Sequence, residues 1–379
     1  MLRVVVSGGG TGGHVYPAIA VAGGIRERFP DAAILFVGTR RGLEATAVPK
    51  AGFEIAYVHA RGLASHPLKL AHALFDNALG TAEALGKLRG FRPAVVVGSG
   101  GYVSLPVGAA AQTMGIPTVL LEQNVVPGKA TKFLSGRATK VCASFDSTIG
   151  KLDHPEKAVV TGNPVRRDIL ERTRADGRAR MGVPEDAFCL LVTGASQGAR
   201  SVNEAVVAAL PSWKERPWQV IHLTGEGEFA SVKGRAEGAV EGGLLKWRGM
   251  AFCDDMASAY AAADVVVARA GATTMAELTC RGLPAILVPY PHAGAHQVDN
   301  ARWLEARGGS VTILNEDALA CVGPAVVGLA EDAERRARMA EASRAAGHPD
   351  AVERIVDEVA SAAGMRTVDL ATGRLHSSE

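Results

Sequence analysis

The sequence predicts an α/β protein built from two doubly wound parallel sheets. Short runs of Val, Ile and Leu, bounded by Gly or Pro, alternate with longer Ala-rich stretches of helical composition. Continuous apolar runs suit strands that are buried on both faces, as in parallel sheets covered by helices. The pattern also repeats loosely, since 94–121 resembles 264–288 and 4–13 resembles 189–198. Each half is therefore predicted to be a Rossmann-like unit with ligand loops at the carboxyl ends of its strands.

The apolar runs give the strands in chain order. The first run, Val4-Val5-Val6, is β-branched and leads into a glycine turn. Later strands follow Gly-x-Pro turns, as at Gly115-Ile116-Pro117 and Gly282-Leu283-Pro284. We predict strands at 2–7, 33–38, 54–58, 94–98, 117–121, 139–143, 157–161, 188–193, 218–223, 264–268 and 284–288.

The length of the chain, 379 residues, predicts two domains, because single cores stop growing near ~250–300 residues. We place the joint near Gly162-Asn163-Pro164, since a proline biases the preceding residue away from helix. The expected domains are 1–162 and 163–348, facing each other so that their glycine loops share one cleft. A helix at 349–363 is expected to return to the first domain, and 364–379 to form a disordered polar tail.

Composition excludes several function classes. A net charge of +2 and 5% aromatic residues argue against nucleic-acid binding. The five cysteines form no CxxC pair, so we expect reduced thiols in a cytoplasmic protein rather than disulfides or zinc. The first predicted strand begins within a few residues of Met1, which leaves no room for a secretory signal. No apolar run approaches the ~18–20 residues that span a bilayer.

The most informative segment is the glycine loop at 8–13, which holds five glycines in six residues. Glycines let a backbone turn tightly and approach a ligand, and the amino end of the following helix suits a phosphate. The loop is not a clean dinucleotide fingerprint, because no acidic residue ends the second strand, and no Lys-Ser/Thr follows as in a Walker motif. His14 comes next, either as a plain helix-terminal histidine or as a base for a sugar hydroxyl.

Two further features of the first half follow strands. Gly98–Ser104 is a second glycine loop, and two such loops in one domain suggest a single diphosphate ligand. Glu122-Gln123-Asn124 ends the strand at 117–121, where this fold places ligand sites. Glu122 could orient His14 or act as the base itself, and the sequence does not rank these roles.

The second half carries its own candidates. Gly194–Arg200 is a phosphate-loop candidate that contains Ser196 and Gln197, and Ser201-x-x-Glu204 after it matches a capping box. Glu277 either closes a second capping box with Thr274 or accepts both hydroxyls of a ribose. Polar residues at 291–297 also follow a strand. Asp254-Asp255 has no neighbouring carboxylates on other loops, so we predict no metal site.

The segment 63–89 has two interpretations. Its leucines and Phe75 could form the buried face of an ordinary helix. Alternatively, with Lys69, Lys87 and Arg89 at its rim, the segment could rest on an anionic membrane surface.

Taken together, the motifs resemble the bacterial N-acetylglucosaminyltransferases of peptidoglycan synthesis. These enzymes transfer GlcNAc from UDP-GlcNAc to undecaprenyl-diphosphate-linked MurNAc-pentapeptide. The resemblance extends from Val4 to about Val356. It rests on GGGTGGHVYPA (8–18), GSGGYVSLP (98–106), EQN (122–124), GNPVR (162–166), GASQGAR (194–200), FCDDM (252–256), RAGATTMAE (269–277) and GLPAILVPYPH (282–292).

The resemblance implies a GT-B fold, with the acceptor on the first domain and UDP-GlcNAc on the second. It implies that Glu277 holds the ribose, that the backbone at Cys253 faces the uracil and that His296 or Gln297 faces the donor sugar. The other implied donor contacts are Thr11, Gly12, Gly13, Asn124, Arg166, Ser196, Gln197, Ala272, Thr273, Thr274, Met275 and Ala276. Candidates for the acceptor diphosphate are Gly10, Gly100, Gly101 and Tyr102.

The implied reaction is displacement at the anomeric carbon with inversion, without metal or cofactor. His14 is the first candidate for the base and Glu122 the second. The implied location is the cytoplasmic face of the cell membrane, as a peripheral protein, with other cell-wall synthesis proteins as candidate partners. Rival interpretations are a UDP-GlcNAc 2-epimerase of the same fold, a nicotinamide oxidoreductase and a non-catalytic lipid-diphosphate carrier.

Overall fold

The computed structural model describes residues 1–62, 66–194, 198–291 and 296–365. The chain divides into two compact units. The first contains Met1–Pro164 and the segment that begins at Asp350, and the second contains Val165–Pro349. Each unit holds one parallel sheet, so the fold is α/β.

The first unit contains a sheet of seven strands within the described residues. The strands are β1 (Arg3–Ser7), β2 (Ala33–Gly38), β3 (Glu54–Tyr57), β4 (Val95–Gly98), β5 (Thr118–Glu122), β6 (Lys140–Ala143) and β7 (Ala158–Val160). Their order across the sheet is β3-β2-β1-β4-β5-β6-β7. The helices between them are α1 (Gly12–Arg28), α2 (Glu44–Lys50), α3 (Pro67–Phe91), α4 (Ser104–Thr113), α5 (Lys129–Ser135) and α6 (Asp146–Ile149).

Strand β1 shows why the apolar runs are continuous. Val4 and Val6 belong to one hydrophobic core and Val5 to another, so both faces of the strand are covered. Successive side chains of a strand point to opposite faces, and both faces here must therefore be apolar.

The strand order places the ligand loops. In the first sheet the order reverses between β1 and β4, which are neighbours paired from Val4 opposite Val95 to Ser7 opposite Gly98. The loops that leave β1 and β4 therefore emerge side by side at the carboxyl edge. Such a switch point is where doubly wound sheets bind ligands.

The second unit repeats this plan with six strands within the described residues. They are β8 (Cys189–Thr193), β9 (Gln219–Leu223), β10 (Lys246–Met250), β11 (Val265–Ala268), β12 (Ala285–Leu287) and β13 (Ser310–Thr312), in the order β10-β9-β8-β11-β12-β13. Its helices are α7 (Arg167–Glu171), α8 (Arg174–Met181), α9 (Arg200–Trp213), α10 (Phe229–Val240), α11 (Met256–Ala262), α12 (Ala272–Arg281), α13 (His296–Glu305), α14 (Ala318–Glu331) and α15 (Ala333–Ala345). The switch point lies between β8 and β11, which pair directly.

The last helix of the described chain, α16 (Ala351–Ala362), packs in the first unit. Ile355, Val356 and Val359 are buried in the same core as Val4 and Val6. A Cβ on Gly24 of α1 would overlap Val352, so α1 and α16 approach closely there. Helix α16, which follows the second unit in the sequence, therefore completes the core of the first unit.

The two strands that the sequence analysis missed, β10 and β13, are the edges of the second sheet. An edge strand needs less apolar surface than a central one, and β10 (KWRGM) carries two exposed basic residues, Lys246 and Arg248. Strand β13 has three residues, which is too short to show a period. Within the described ranges, no helix is both long and apolar enough to cross a membrane.

Candidate functional site

The two glycine loops of the first unit pack directly on each other. Gly100 and Gly101 have φ angles of +85° and +73°, which favour glycine. A Cβ on Gly100 would lie 2.7 Å from Nδ1 of His14, and one on Gly101 would overlap the carbonyl oxygen of Gly9. The loop after β4 therefore needs glycine both for its conformation and for its contact with the loop after β1.

His14 is the third residue of α1 and is held by the neighbouring loops. Its Nδ1 lies 3.1 Å from the carbonyl oxygen of Ser99 and 3.2 Å from Oε1 of Gln123. A carbonyl oxygen can only accept, so Nδ1 carries the proton and donates it to Ser99. The hydroxyl of Ser99 in turn donates to the carbonyl oxygen of His14 at 2.8 Å. This arrangement leaves Nε2 unprotonated and able to accept a proton.

The environment of His14 keeps the imidazole neutral near pH 7. Burial lowers its pKa below the ordinary value, while the charge of Glu122 and the bonds to Ser99 and Gln123 oppose that shift. A neutral imidazole with a fixed tautomer is suited to general base catalysis.

Glu122 at the end of β5 is buried and supports its own loop. Its Oε1 accepts from the backbone N–H of Asn124 at 3.0 Å, and its Oε2 accepts from that of Gly128 at 2.9 Å. The side chain that contacts the imidazole is therefore Gln123. Asn124 is half-buried at this edge, and its carbonyl oxygen accepts from the hydroxyl of Thr148 at 3.0 Å.

The remaining candidates of the first glycine loop differ in what they can offer a ligand. Thr11 is the exposed N-cap of α1 and makes no capping bond with its side chain. Gly12 and Gly13 are the first residues of the helix, where backbone N–H groups lack intrahelical partners. The N–H of Gly10 instead donates inward to Oε2 of Glu44 at 2.9 Å. The Tyr102 ring lies so close to Gly10 that a Cβ there would be 2.9 Å from it.

In the second unit, Glu277 lies in the second turn of α12. The hydroxyl of Tyr260, a fully buried residue of α11, donates to its Oε2 at 2.9 Å. Burial raises the pKa of Glu277 to about 7, while the Tyr260 bond and the charge of Arg166 lower it and Asp168 raises it. The carboxyl group can therefore change its protonation state near neutral pH.

Both capping-box interpretations are wrong. Helix α12 has Gly271 as its N-cap, so Thr274 and Glu277 both lie inside the helix. Helix α9 has Ala199 as its N-cap, and Glu204 pairs with Arg235 at 2.8 Å. A Ser or Thr three positions before a Glu also occurs inside helices, so this pattern alone does not show where a helix begins.

The other residues of 272–277 differ in burial and therefore in whether they could contact UDP-GlcNAc. Ala272 and Thr273 open α12, and Oγ1 of Thr273 is buried without a hydrogen-bond partner among the described residues. Ala276 is half-buried and Thr274 is buried. Met275 is fully buried, and its N–H donates to the carbonyl oxygen of Gly271 at 2.9 Å. The side chain of Met275 therefore packs in the interior and offers no surface to a donor, contrary to the contact expected there.

Arg269 joins the loops at this edge of the second sheet. Its guanidinium donates to the carbonyl oxygens of Val288 at 2.9 Å and Pro289 at 3.2 Å. It also donates to Oδ1 of Asn315 at 2.8 Å and to the hydroxyl of Ser201 at 3.0 Å. Burial lowers its pKa from the usual value. Ser201 therefore serves this loop network rather than a helix cap.

Arg166 and Cys253 lie at other positions of the second unit. Arg166 is the N-cap of α7, with a half-exposed side chain 3.8 Å from Asp168. Cys253 follows β10 and is buried, which raises the pKa of its thiol. Asp255 caps α11 by accepting from the N–H of Ser258 at 3.1 Å.

Within the part of the chain that the structure describes, no group of three or more His, Cys, Asp or Glu could hold a metal ion.

His296 and Gln297 begin α13. Nδ1 of His296 is buried without a partner in the described ranges, and Oε1 of Gln297 accepts from the N–H of Tyr290 at 2.9 Å. Ser196 and Gln197 lie outside the described residues, as do 63–65, 292–295 and 366–379.

Two side chains behind the site carry no signal in the sequence, namely Glu44 under the first glycine loop and Tyr260 behind Glu277. Glu44 lies in α2 and Tyr260 in the middle of an Ala-rich helix, and neither carries a local motif. Their contacts become visible only once the strands are ordered.

Two domain models of one protein family match this chain, one in its first part and one in its second. Residues 4–143 match the glycosyltransferase family 28 N-terminal domain, and residues 189–355 match the family 28 C-terminal domain. A curated relative from Desulforudis audaxviator (strain MP104C) is 42% identical over 376 residues, covering 97% of this chain and 100% of its own. It is named UDP-N-acetylglucosamine--N-acetylmuramyl-(pentapeptide) pyrophosphoryl-undecaprenol N-acetylglucosamine transferase.

Solved structures agree with the fold. The crystal structure of Acinetobacter baumannii MurG matches with a TM-score of 0.77 at 28% identity, covering 95% of this chain and 100% of that one. A UDP-GlcNAc 2-epimerase from Neisseria meningitidis, bound to UDP-GlcNAc, matches with a TM-score of 0.69 at 14% identity over 95% of this chain and 100% of that one. At that identity the epimerase shares the fold alone.

Proposed function

The chain belongs to glycosyltransferase family 28, and from this membership we propose that it transfers GlcNAc from UDP-GlcNAc to undecaprenyl-diphosphate-linked MurNAc-pentapeptide. The attacking group is the C4 hydroxyl of MurNAc, and the products are the β-1,4-linked disaccharide lipid and UDP. The observation that carries this proposal is 42% identity over almost the whole length of a relative named for this activity.

We assign UDP-GlcNAc to the second unit. Glu277 as a carboxylate accepts hydrogen bonds from the ribose hydroxyls, while Tyr260 holds one of its oxygens. The diphosphate lies at the amino end of α12, where Thr273 offers a buried hydroxyl without a described partner. The helix dipole and the buried charge of Arg269 favour an anion there. The backbone near Cys253 faces the uracil, and the start of α13 faces the sugar.

Departure of UDP builds negative charge on its diphosphate. Groups that are already oriented toward this charge lower the barrier without reorganising during the reaction. The amino ends of α9 and α12 and the side chain of Arg166 are the groups we assign to this role. Arg166 is half-exposed, so it can turn toward a ligand.

We assign the acceptor and the base to the first unit. Nε2 of His14 takes the proton from the C4 hydroxyl, because its Nδ1–H is fixed on Ser99. Glu122 is the weaker candidate, since both of its carboxylate oxygens already accept backbone N–H groups.

The resemblance places Thr11, Gly12 and Gly13 against the donor. We assign the N–H groups of Gly12 and Gly13 to the acceptor diphosphate instead, because they begin a helix of the first unit and the N–H of Gly10 is held by Glu44. Gly100, Gly101 and Tyr102 lie beside the same glycine loop.

We also propose that the protein is peripheral at the cytoplasmic face of the membrane, where a lipid-linked acceptor is found. Helix α3 buries Ala73, Gly80 and Leu88 on one side. Its other side exposes large apolar side chains, and Lys69 and Arg89 are exposed on the same helix. The exposed apolar residues are Leu68, Leu74, Phe75 and Leu79. An apolar face with basic residues suits an anionic lipid surface.

The experiment that tests the transferase separates it from the epimerase. The protein is incubated with UDP-GlcNAc, with and without a lipid-linked MurNAc-pentapeptide, and UDP and UDP-ManNAc are measured. We expect UDP release only with the acceptor and no UDP-ManNAc in either case. Formation of UDP-ManNAc without acceptor would favour the epimerase instead.

A further inference from the structure

A buried carboxylate lies directly beneath the glycine loop of the first unit. Glu44, the first residue of α2, is fully buried. Its Oε1 accepts from the N–H of Thr39 at 3.0 Å and from the hydroxyl of Thr39 at 2.8 Å, and its Oε2 accepts from the N–H of Gly10 at 2.9 Å. Glutamate is almost never fully buried unless its charge is satisfied, and here three neutral donors satisfy it.

Three glycines enclose this side chain, Gly9 from the loop after β1, Gly38 at the end of β2 and Gly42 from the connection between β2 and α2. A Cβ on Gly9, Gly38 or Gly42 would lie under 3.0 Å from a Glu44 side-chain atom. None of the three has a positive φ, so the backbone itself would accept another residue at these positions. The space that Glu44 occupies is therefore the reason that these positions are glycine.

The carboxylate fixes the direction of the loop. By holding the N–H of Gly10, it turns that group inward and leaves the N–H groups of Gly12 and Gly13 for a ligand. The same loop leads directly into α1 and His14. The hydroxyl of Thr39 also lies 3.4 Å from the hydroxyl of Tyr102, whose ring covers Gly10.

We propose that Glu44 is a positioning residue for the acceptor side of the reaction, which sets the glycine loop and thereby the base His14. This inference rests on the proposed function. Glu44 touches neither the acceptor nor the reacting atoms. It acts through Gly10 and Thr39, so its loss lowers acceptor use and leaves UDP-GlcNAc binding, which we assign to the other unit, unchanged.

The test uses two substitutions that disturb the carboxylate from different sides. Glu44→Ala removes it, and Gly42→Ala introduces a methyl group whose nearest neighbours are all Glu44 atoms. We expect each to lower kcat/KM for the lipid-linked acceptor at least tenfold, with the Kd for UDP-GlcNAc within twofold of the wild type. The double variant should be no worse than Glu44→Ala alone, because the clash is then gone. Gly23→Ala is the control, since a Cβ there meets no atom within 4 Å.

The outcomes separate this proposal from the function on which it rests. If the wild-type chain does not use the acceptor, the proposed function fails and this inference with it. If the wild type is active and both single variants keep its acceptor kcat/KM, Glu44 does not position the loop. A parallel loss of UDP-GlcNAc binding and of Tm would show a general structural role and overturn the proposal as well. A Glu44→Gln variant, which keeps the shape but presents an amide N–H₂ group to the loop, should behave like Glu44→Ala.

Discussion

At the scale of single residues, function depends on the partner behind each side chain. His14 and His222 both have lowered pKa values, yet of the two only His14 has a ring nitrogen, Nε2, without a hydrogen-bond partner among the described residues. Both nitrogens of His222 are engaged inside the second unit, by Asn203 at 3.0 Å and by Trp247 at 3.4 Å. Glu277 is likewise a better candidate than Glu122 for binding a substrate. Both carboxylate oxygens of Glu122 accept backbone N–H groups, whereas Tyr260 donates to one oxygen of Glu277.

We expect His14→Ala to lower kcat by roughly 10²–10⁴-fold, the usual contribution of a general base. The Kd for UDP-GlcNAc should stay near that of the wild type, because the donor groups lie in the second unit. Steady-state kinetics with saturating donor and a binding titration measure the two effects. His154→Ala, at an exposed histidine of the same unit, is the matched control. A His14→Ala variant with wild-type kcat would remove His14 from the role of base.

Binding of UDP-GlcNAc should weaken as the pH falls below about 7. Burial raises the pKa of Glu277 to about 7, and the ribose binds the ionised form. Protonation therefore competes with the donor, and its Kd rises about tenfold per pH unit well below the pKa. Above pH 7 the affinity should level off. The diphosphate of UDP-GlcNAc carries no proton in this range, so the ligand adds no pH dependence of its own.

Calorimetric titration from pH 5.5 to 8.5 measures this effect, with Glu277→Gln as the comparison. The glutamine variant should bind more weakly at pH 8 and lose most of the dependence below pH 7. An unchanged pH dependence in Glu277→Gln would show that another group carries it.

Local sequence pattern selected the candidate residues but not the side chains that support them. His14 lies at the start of a helix, Glu122 at the end of a strand and Glu277 in the second turn of a helix. Their roles stay predictions. Glu44 and Tyr260 were missed because the residues they support are distant in sequence: Gly10 is 34 positions from Glu44, and Glu277 is 17 positions from Tyr260. The capping-box interpretations at Ser201 and Thr274 failed because the two helices begin earlier, with Ala199 and Gly271 as their N-caps, and the short Ser/Thr-x-x-Glu pattern does not show this.

At the scale of elements, apolar pattern predicted every central strand of both sheets. Those strands are buried on both faces, so their sequences had to be continuously apolar. The two missed strands, β10 and β13, are edges whose sequence need not be apolar throughout. Helix α3, which covers most of the segment 63–89, has one buried side, as an ordinary packed helix does. Its other side carries exposed apolar residues, and the membrane interpretation stays a prediction.

We expect the exposed side of α3 to bind anionic vesicles. The double substitution Phe75→Ser and Leu79→Ser should lower vesicle binding at least tenfold, since each buried apolar side chain contributes about 1.5–3 kcal/mol and 1.4 kcal/mol is a factor of ten. Sedimentation with vesicles containing anionic lipid measures the binding. Leu319→Ser, at a leucine of α14 that is 64% exposed, is the control. Equal binding of the double variant and the wild type would argue against α3 as the membrane contact.

At the scale of the whole molecule, two units of one plan divide the proposed reaction between them. In each sheet the strand order reverses beside β1 or β8, and such a reversal is where doubly wound sheets bind ligands. The duplicated pattern in the sequence predicted this plan. It also predicted the candidate loops, because glycine turns follow the same strands in both halves.

The linkage formed in the product tests the central claim most directly. The protein is incubated with UDP-GlcNAc and lipid-linked MurNAc-pentapeptide, the product is isolated, and its glycosidic bond is assigned by NMR. We expect one GlcNAc joined β-1,4 to MurNAc for each UDP released. A product with an α linkage, or one with GlcNAc on any other hydroxyl, would show that the protein does not catalyse the proposed inverting transfer.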